Sequence, residues 1–316
     1  MSFTPKGIYT AIVTPFTDAD AFDEAAFRRL IDFQIAAGAA GLLVIGGSGE
    51  FVSLTPPERQ QVIDVAIDQA AGRLPIIVGA LAPGTREVQD TVRYAAQAGA
   101  DAVLVLPTYY IKASADGVYE HFARVADQAA IPIVAYNNTS RTGITLDIPL
   151  LERLARIPSI VALKECERDL AIVAAKIGAI GERIAILSGD DDLGFPTFLL
   201  DSPGGIFMSA NLVPAFHRKL FEATLKVDLV SARKAHYALL PLVEALYTAN
   251  HPGPLKDAMK LIGYPVGRAR APLQRASAEN LKRAEIALKN LAAVEFSLKS
   301  PRTGRRTHCA PFGEER

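Results

Sequence analysis

The run Val161-Ala-Leu-Lys-Glu165 is apolar and strand-like until it ends on an amine. Lysine is seldom fully buried, and a strand covered on both faces has little room for a solvated cation. Lys164 therefore has two readings. It is a strand-end lysine whose ammonium reaches water along its methylene stem, or an amine kept in a dry site for chemistry. The second use requires the neutral form, and lowering a lysine pKa from near 10.4 to about 7 takes roughly 5 kcal/mol of selective destabilisation of the ammonium, within the range of burial. A neutral amine facing a carbonyl forms a Schiff base, which acts as an electron sink for making or breaking the neighbouring carbon–carbon bond.

Such an amine needs a proton carrier and groups that hold substrate. Tyr136, closing the run PIVAYN, offers a phenol for proton transfer; its alternative is an aromatic with a satisfied hydroxyl. The GGSGE turn over 46–50 exposes backbone N–H groups beside the Ser48 hydroxyl, which makes it a candidate carboxylate nest or simply a tight connection. Arg141 could form a bidentate pair with a second carboxylate or lie on a surface loop. Ser188, Gly189 and Asp190 close another apolar run.

These groups share a position in the pattern. Short β-branched or apolar runs alternate with segments of helical period: YTAIVTPF and 23–37, GLLVIGG and 55–71, PIIVGA and 85–98, DAVLVLP and 116–129. The rhythm continues through PIVAYN and 147–155, IVALKE and 168–180, AILSG and 191–200, GIFMSAN and 214–225. Eight such units predict an α/β fold, a (β/α)8 TIM barrel over 1–225, whose active site lies at the C-terminal ends of the strands. An open doubly wound sheet is the rival, but no GxGxxG follows the first strand and GGSGEF lacks the GK[ST] ending of a phosphate loop. Helical segments at 230–249, 254–262 and 278–298 form a C-terminal extension over 226–298, and the tail 299–316 reads as a flexible terminus.

Composition narrows the partners. Lys plus Arg equals Asp plus Glu at 34 each, so no net field argues for nucleic acid or an anionic membrane. Cys166 and Cys309 make no disulfide framework, and the five scattered histidines make no metal motif, so a metal is not expected. No signal segment or membrane-length apolar run is visible, which makes the cytoplasm the expected location and a small molecule the expected partner.

The motifs GxxTAIVTPF, GGSGEFVSLTPPER, LPTYY, YNNTSRTG, VALKE, SGDD and GGIFMSAN, in this order, carry a family resemblance. From Gly7 to Leu291 the chain resembles the dihydrodipicolinate synthase and N-acetylneuraminate lyase family of pyruvate-dependent class I aldolases. The resemblance implies that Lys164 forms a covalent imine with pyruvate without a further cofactor, that Tyr136 is the catalytic tyrosine, and that Ser48 with the turn amides holds the pyruvate carboxylate. It implies that Arg141 binds the carboxylate of the aldehyde, that Gly189, Asp190 and Ile206 surround the distal part of the substrate, and that Tyr110 reaches a neighbouring subunit's site in a homodimer or homotetramer.

Two features divide the substrate reading. Arg141 favours condensation of pyruvate with aspartate semialdehyde, giving 4-hydroxytetrahydrodipicolinate for lysine biosynthesis. Gly47 stands where synthases carry a relay threonine, and favours a 2-keto-3-deoxy sugar acid aldolase or dehydratase. A non-catalytic pyruvate-binding barrel is the third alternative. Phe51, Arg59 and Pro83 occupy positions where lysine-inhibited relatives present small or polar groups. Millimolar lysine is therefore expected to leave activity unchanged in a direct assay; inhibition would overturn that expectation.

Overall fold

The computed structural model describes residues 3–248 and 250–296; the expected tail over 299–316 lies outside the described residues. Eight parallel strands close into a barrel in sequence order: β1 (Gly7–Ala11), β2 (Gly41–Val44), β3 (Ile76–Ala80), β4 (Ala102–Val105), β5 (Ile133–Asn137), β6 (Ile160–Glu165), β7 (Ala185–Ser188) and β8 (Gly204–Phe207). Closure comes from β8 pairing with β1, with Gly205 opposite Ile8. The strands read as continuous apolar runs because helices cover one face and barrel-filling side chains the other; every residue of β2 to β5 is buried. This is the (β/α)8 architecture expected from the alternation of periods.

Helix starts follow side-chain caps. Asp23 accepts from the Ala26 amide at 2.9 Å and opens Glu24–Ala36. Asp147 caps Ile148–Leu154, and Asp169 caps Leu170–Ile180. Capping moves the start of the last helix two residues beyond the expected Arg168. The expected helix over 191–200 is instead a 3-10 turn, Asp191–Leu193, followed by the short helix Gly194–Phe198. Pro196 explains the break: it has no N–H for an α-helix begun at Asp191, but fits the first turn of one begun at Gly194.

Beyond β8 the chain forms Pro214–Leu225, Leu229–Leu246, Gly253–Ala258, the 3-10 turn Met259–Ile262, and Ala278–Ala292. Helix Leu229–Leu246 ends before the expected 249, and the chain then turns back over the barrel mouth. Lys256 fixes this return: its Nζ donates to Glu50 Oε1 at 2.8 Å, the Thr14 carbonyl at 2.8 Å and the Arg268 carbonyl at 2.7 Å. Glu50 also accepts from the Arg270 amide at 2.8 Å, while the Arg270 guanidinium reaches Glu58 at 2.6 Å and the Ser53 carbonyl at 2.9 Å.

The Lys256 and Glu50 side chains are both fully buried. Removing one partner of such a pair leaves an uncompensated charge. Lys256→Met is expected to lower stability by about 3–5 kcal/mol in urea unfolding, and adding Glu50→Gln to recover part of the loss. Equal stability of wild type and the single variant would show that the pair does not hold the return segment.

Candidate active site

Tyr136 and Lys164 are register partners on β5 and β6. Alternation along β6 sends the next residue, Glu165, outward to Lys176 on helix Leu170–Ile180 at 2.8 Å, and leaves Lys164 facing the barrel mouth. There a cavity of about 320 Å³ is lined by Gly47, Ser48, Tyr136, Arg141, Lys164, Gly189 and Ile206, together with residues from the return segment. The sequence-derived groups from five strand ends thus converge on one space.

The Lys164 Nζ lies 4.6 Å from the centre of the Tyr136 ring and, among the described residues, has no hydrogen-bond or ion-pair partner. Burial lowers its pKa from the ordinary lysine value; Arg141 adds to the effect, and the Asp190 and Asp191 carboxylates oppose it. The Tyr136 hydroxyl accepts from Asn138 Nδ2 at 2.9 Å. That bond occupies a lone pair and leaves the phenol proton free to point into the cavity. Burial pushes the phenol well above its usual range, so it titrates no charge near neutrality and serves as a neutral donor and acceptor. Asn138 itself caps the short helix Thr139–Thr142, which carries Arg141. The Arg141 guanidinium is exposed to the cavity and has no ion-pair partner among the described residues.

Opposite the amine, the turn after β2 presents Ser48, with the amides of Gly47 and Ser48 unpaired among the described residues. Nothing lies within 4 Å of where a Cβ on Gly47 would be, so this position adds space to the cavity. Gly189 is the opposite case: a Cβ there would come within 2.4 Å of Cys166 Sγ, and its N–H donates to the Glu165 carbonyl at 2.7 Å. Only glycine fits where β6 and β7 end together.

Two residues sit differently from the rest. Asp190 is buried but does not line the cavity; its carboxylate accepts from the Tyr247 hydroxyl at 3.4 Å and lies 3.5 Å from Arg168. The next residue, Asp191, lines the cavity instead, its carboxyl pushed up to about 6 by burial although it accepts from the Ser209 amide at 2.7 Å. Tyr110 is 94% exposed and lies outside the cavity of its own chain, whereas its neighbour Tyr109 lines it.

Sequence reasoning missed Tyr247, His251, Pro272 and Leu273, all cavity-lining and all carried by the chain after the eighth strand. The turn signature HPGP, with its single histidine, is the one local signal there; no periodicity announces that this stretch returns to the mouth. Among the described residues no cluster of three or more histidine, cysteine or carboxylate groups could hold a metal. No helix among them is long and apolar enough to cross a membrane.

A buried amine, unpaired among the described residues, beside a phenol at the mouth of a (β/α)8 barrel suits the imine chemistry of an aldolase-type lyase. The family model of the dihydrodipicolinate synthetase family matches residues 4–291. A 4-hydroxy-tetrahydrodipicolinate synthase from Thermomicrobium roseum is 38% identical over 90% of this chain and 93% of its own. One from Methanothrix thermoacetophila is 36% identical over 87% and 93%. The crystal structure of dihydrodipicolinate synthase from Aquifex aeolicus superposes with a TM-score of 0.87 at 34% identity, covering 92% of this chain and 99% of that one. The chain belongs to the dihydrodipicolinate synthetase family and is a pyruvate-dependent class I lyase.

The lowered pKa of Lys164 has a stability consequence. Between its folded value and the ordinary 10.5 the unfolded chain binds more protons, so stability rises with pH across that window. Below the window the buried ammonium is a full cost. Lys164→Met is therefore expected to raise the unfolding temperature at neutral pH, and its advantage to shrink as pH approaches 10.5. A melting temperature that drops at neutral pH would contradict this.

Proposed function

We propose that Lys164 carries the imine of this enzyme and that the second substrate is aspartate semialdehyde, so that the product is 4-hydroxytetrahydrodipicolinate. The observation that carries the reading is the unpartnered Lys164 amine, buried and with a lowered pKa, facing the same cavity as the free cation of Arg141 and the unpaired amides of the Ser48 turn. The neutral amine attacks the pyruvate carbonyl, and loss of water gives the imine. Ser48 and the turn amides hold the pyruvate carboxylate; Tyr136 donates and accepts the protons of carbinolamine breakdown and enamine formation. The enamine carbon then attacks the aldehyde, whose carboxylate pairs with Arg141, and the amino group of that substrate displaces Lys164 from the imine carbon, closing the ring and freeing the amine. The imine formed on the lysine is the electron sink, and the reaction uses no other cofactor.

The names of the relatives support aspartate semialdehyde. The open space at Gly47 supports a second reading, a bulkier 2-keto-3-deoxy sugar acid cleaved or dehydrated through the same imine. A homo-oligomer belongs to the first reading, supported by the exposure of Tyr110 (94%) and Ile111 (75%), which a neighbouring copy would cover, and that reading places the enzyme in the cytoplasm.

Borohydride reduction with pyruvate, followed by peptide mapping, is expected to place one pyruvate-sized adduct on Lys164, absent from Lys164→Ala. Tyr136→Phe is expected to lower kcat about 10²-fold or more, and Arg141→Ala to raise KM for aspartate semialdehyde while leaving KM for pyruvate within about twofold. An adduct on another residue removes Lys164 from the mechanism. Turnover of ketodeoxy acids without turnover of aspartate semialdehyde selects the second reading.

A further inference from the structure

Ser48 Oγ and His251 Nε2 lie 3.1 Å apart in the cavity wall, a hydrogen bond whose direction depends on the imidazole tautomer. The other ring nitrogen, Nδ1, is buried and has no partner among the described residues. The ring plane is fixed: it stacks on Tyr247 with centroids 5.6 Å apart and 13° between planes, and the Tyr247 hydroxyl is tied to Asp190 at 3.4 Å. Burial, reinforced by Arg141 and Lys164, lowers the His251 pKa to about 3, so the imidazole is neutral and carries one N–H.

The two tautomers give Ser48 opposite roles. With the proton on Nδ1, a buried N–H is left unpaired, Nε2 takes the Ser48 proton, and the hydroxyl shows the cavity only lone pairs. With the proton on Nε2, His251 donates to Oγ, and the Ser48 proton is free to point into the cavity. The cavity selects between them, because the Arg141 guanidinium and the unpaired amides of Gly47 and Ser48 favour an anion. An anion needs donors. A chain from imidazole N–H to hydroxyl to carboxylate is cooperative, each bond strengthening the next.

We propose that His251 is a positioning residue, which through Ser48 aims a hydroxyl donor at the carboxylate of the 2-keto acid. The inference rests on the reading above, in which that carboxylate sits at the Ser48 turn. It adds a determinant of keto-acid affinity supplied by the return segment rather than by the strand ends.

The test is the pyruvate concentration that half-saturates borohydride trapping on the full-length enzyme, which reads keto-acid binding without a second substrate. His251→Ala and Ser48→Ala are each expected to raise it about tenfold, the loss of one hydrogen bond to a charged group. The double variant is expected to be no worse than the larger single effect, because the two residues act as one unit. His251→Gln, which keeps an N–H near the Nε2 position, is expected to remain within about threefold of wild type, and circular dichroism checks that each variant is folded. A half-saturating concentration unchanged in folded His251→Ala overturns the proposal, as do multiplying effects in the double variant. Failure of His251→Gln to recover affinity also overturns it, by assigning the loss to the stack on Tyr247. Absence of any adduct in wild type overturns instead the imine reading on which the proposal stands.

Discussion

Lys164 can be left unpaired in the cavity because the next residue on its strand is fully engaged. Glu165 turns to the other face of β6, where it receives the Lys176 ammonium at 2.8 Å, the Asn137 side-chain amide at 2.5 Å and the Glu167 amide at 2.8 Å. Burial still holds its carboxyl above the ordinary value, with Lys176 only opposing the shift. A buried pair of this kind is weak evidence for net stability, and its contribution here is position. What it positions is the end of β6: Asn137 lies opposite Glu165 in the register, so the same contact locks Tyr136 beside Lys164. Asn137 Oδ1 then accepts from the Leu146 amide at 2.9 Å, which closes the loop carrying Arg141. Amine, phenol and guanidinium are all tied to one buried carboxylate that touches none of the chemistry.

A second buried carboxylate performs the matching task across the mouth. Glu50 ends the GGSGE turn in the left-handed region, with φ of 58°, a conformation that non-glycine residues hold only when their surroundings fix it. Lys256 and the Arg270 amide supply that fixing. The result couples the shape of the Ser48 turn to the return segment, and that segment brings Tyr247 and His251 into the wall. Strand-end residues and late-chain residues are thus parts of one polar scaffold with two anchors.

The division between what could and could not be read from the chain follows from this scaffold. Strands were legible because a parallel barrel demands buried runs, and Lys164, Tyr136, Ser48 and Arg141 were legible as candidates because the first two sit near the ends of such runs and the others in the turns that follow. The fold rule that places active sites at strand ends did the rest. The exchange of Asp190 for its neighbour in the cavity lining was not legible, since both follow β7 and only the 3-10 turn starting at Asp191 decides which one faces inward. His251 was less legible still. Its partner lies 203 residues earlier, and no local pattern encodes a contact made by a loop folded over the barrel.

The charge distribution inside the cavity explains why a lysine with no counter-ion is tolerable there. The Asp190 and Asp191 carboxylates, which act on Lys164, have other partners, Asp190 in Arg168 and Tyr247, Asp191 in the Ser209 and Met208 amides. They oppose the lowering of its pKa without forming a salt bridge that would trap the ammonium. Arg141 pushes in the other direction and is itself unpaired among the described residues, so the cavity offers a keto acid hydrogen-bond donors and a positive charge alongside the Asp191 carboxyl. Binding such an anion would raise the affinity of Lys164 for its proton, working against nucleophilic attack. Neutral donors, the Ser48 hydroxyl and the turn amides, can hold the keto-acid carboxylate, while the Arg141 cation, which lowers the Lys164 pKa, offsets the effect of that anion on the amine. In the proposed reading a neutral His251 behind Ser48 extends the same logic by one residue: the carboxylate would be held through a chain of dipoles, and the Arg141 cation would be left for the second substrate.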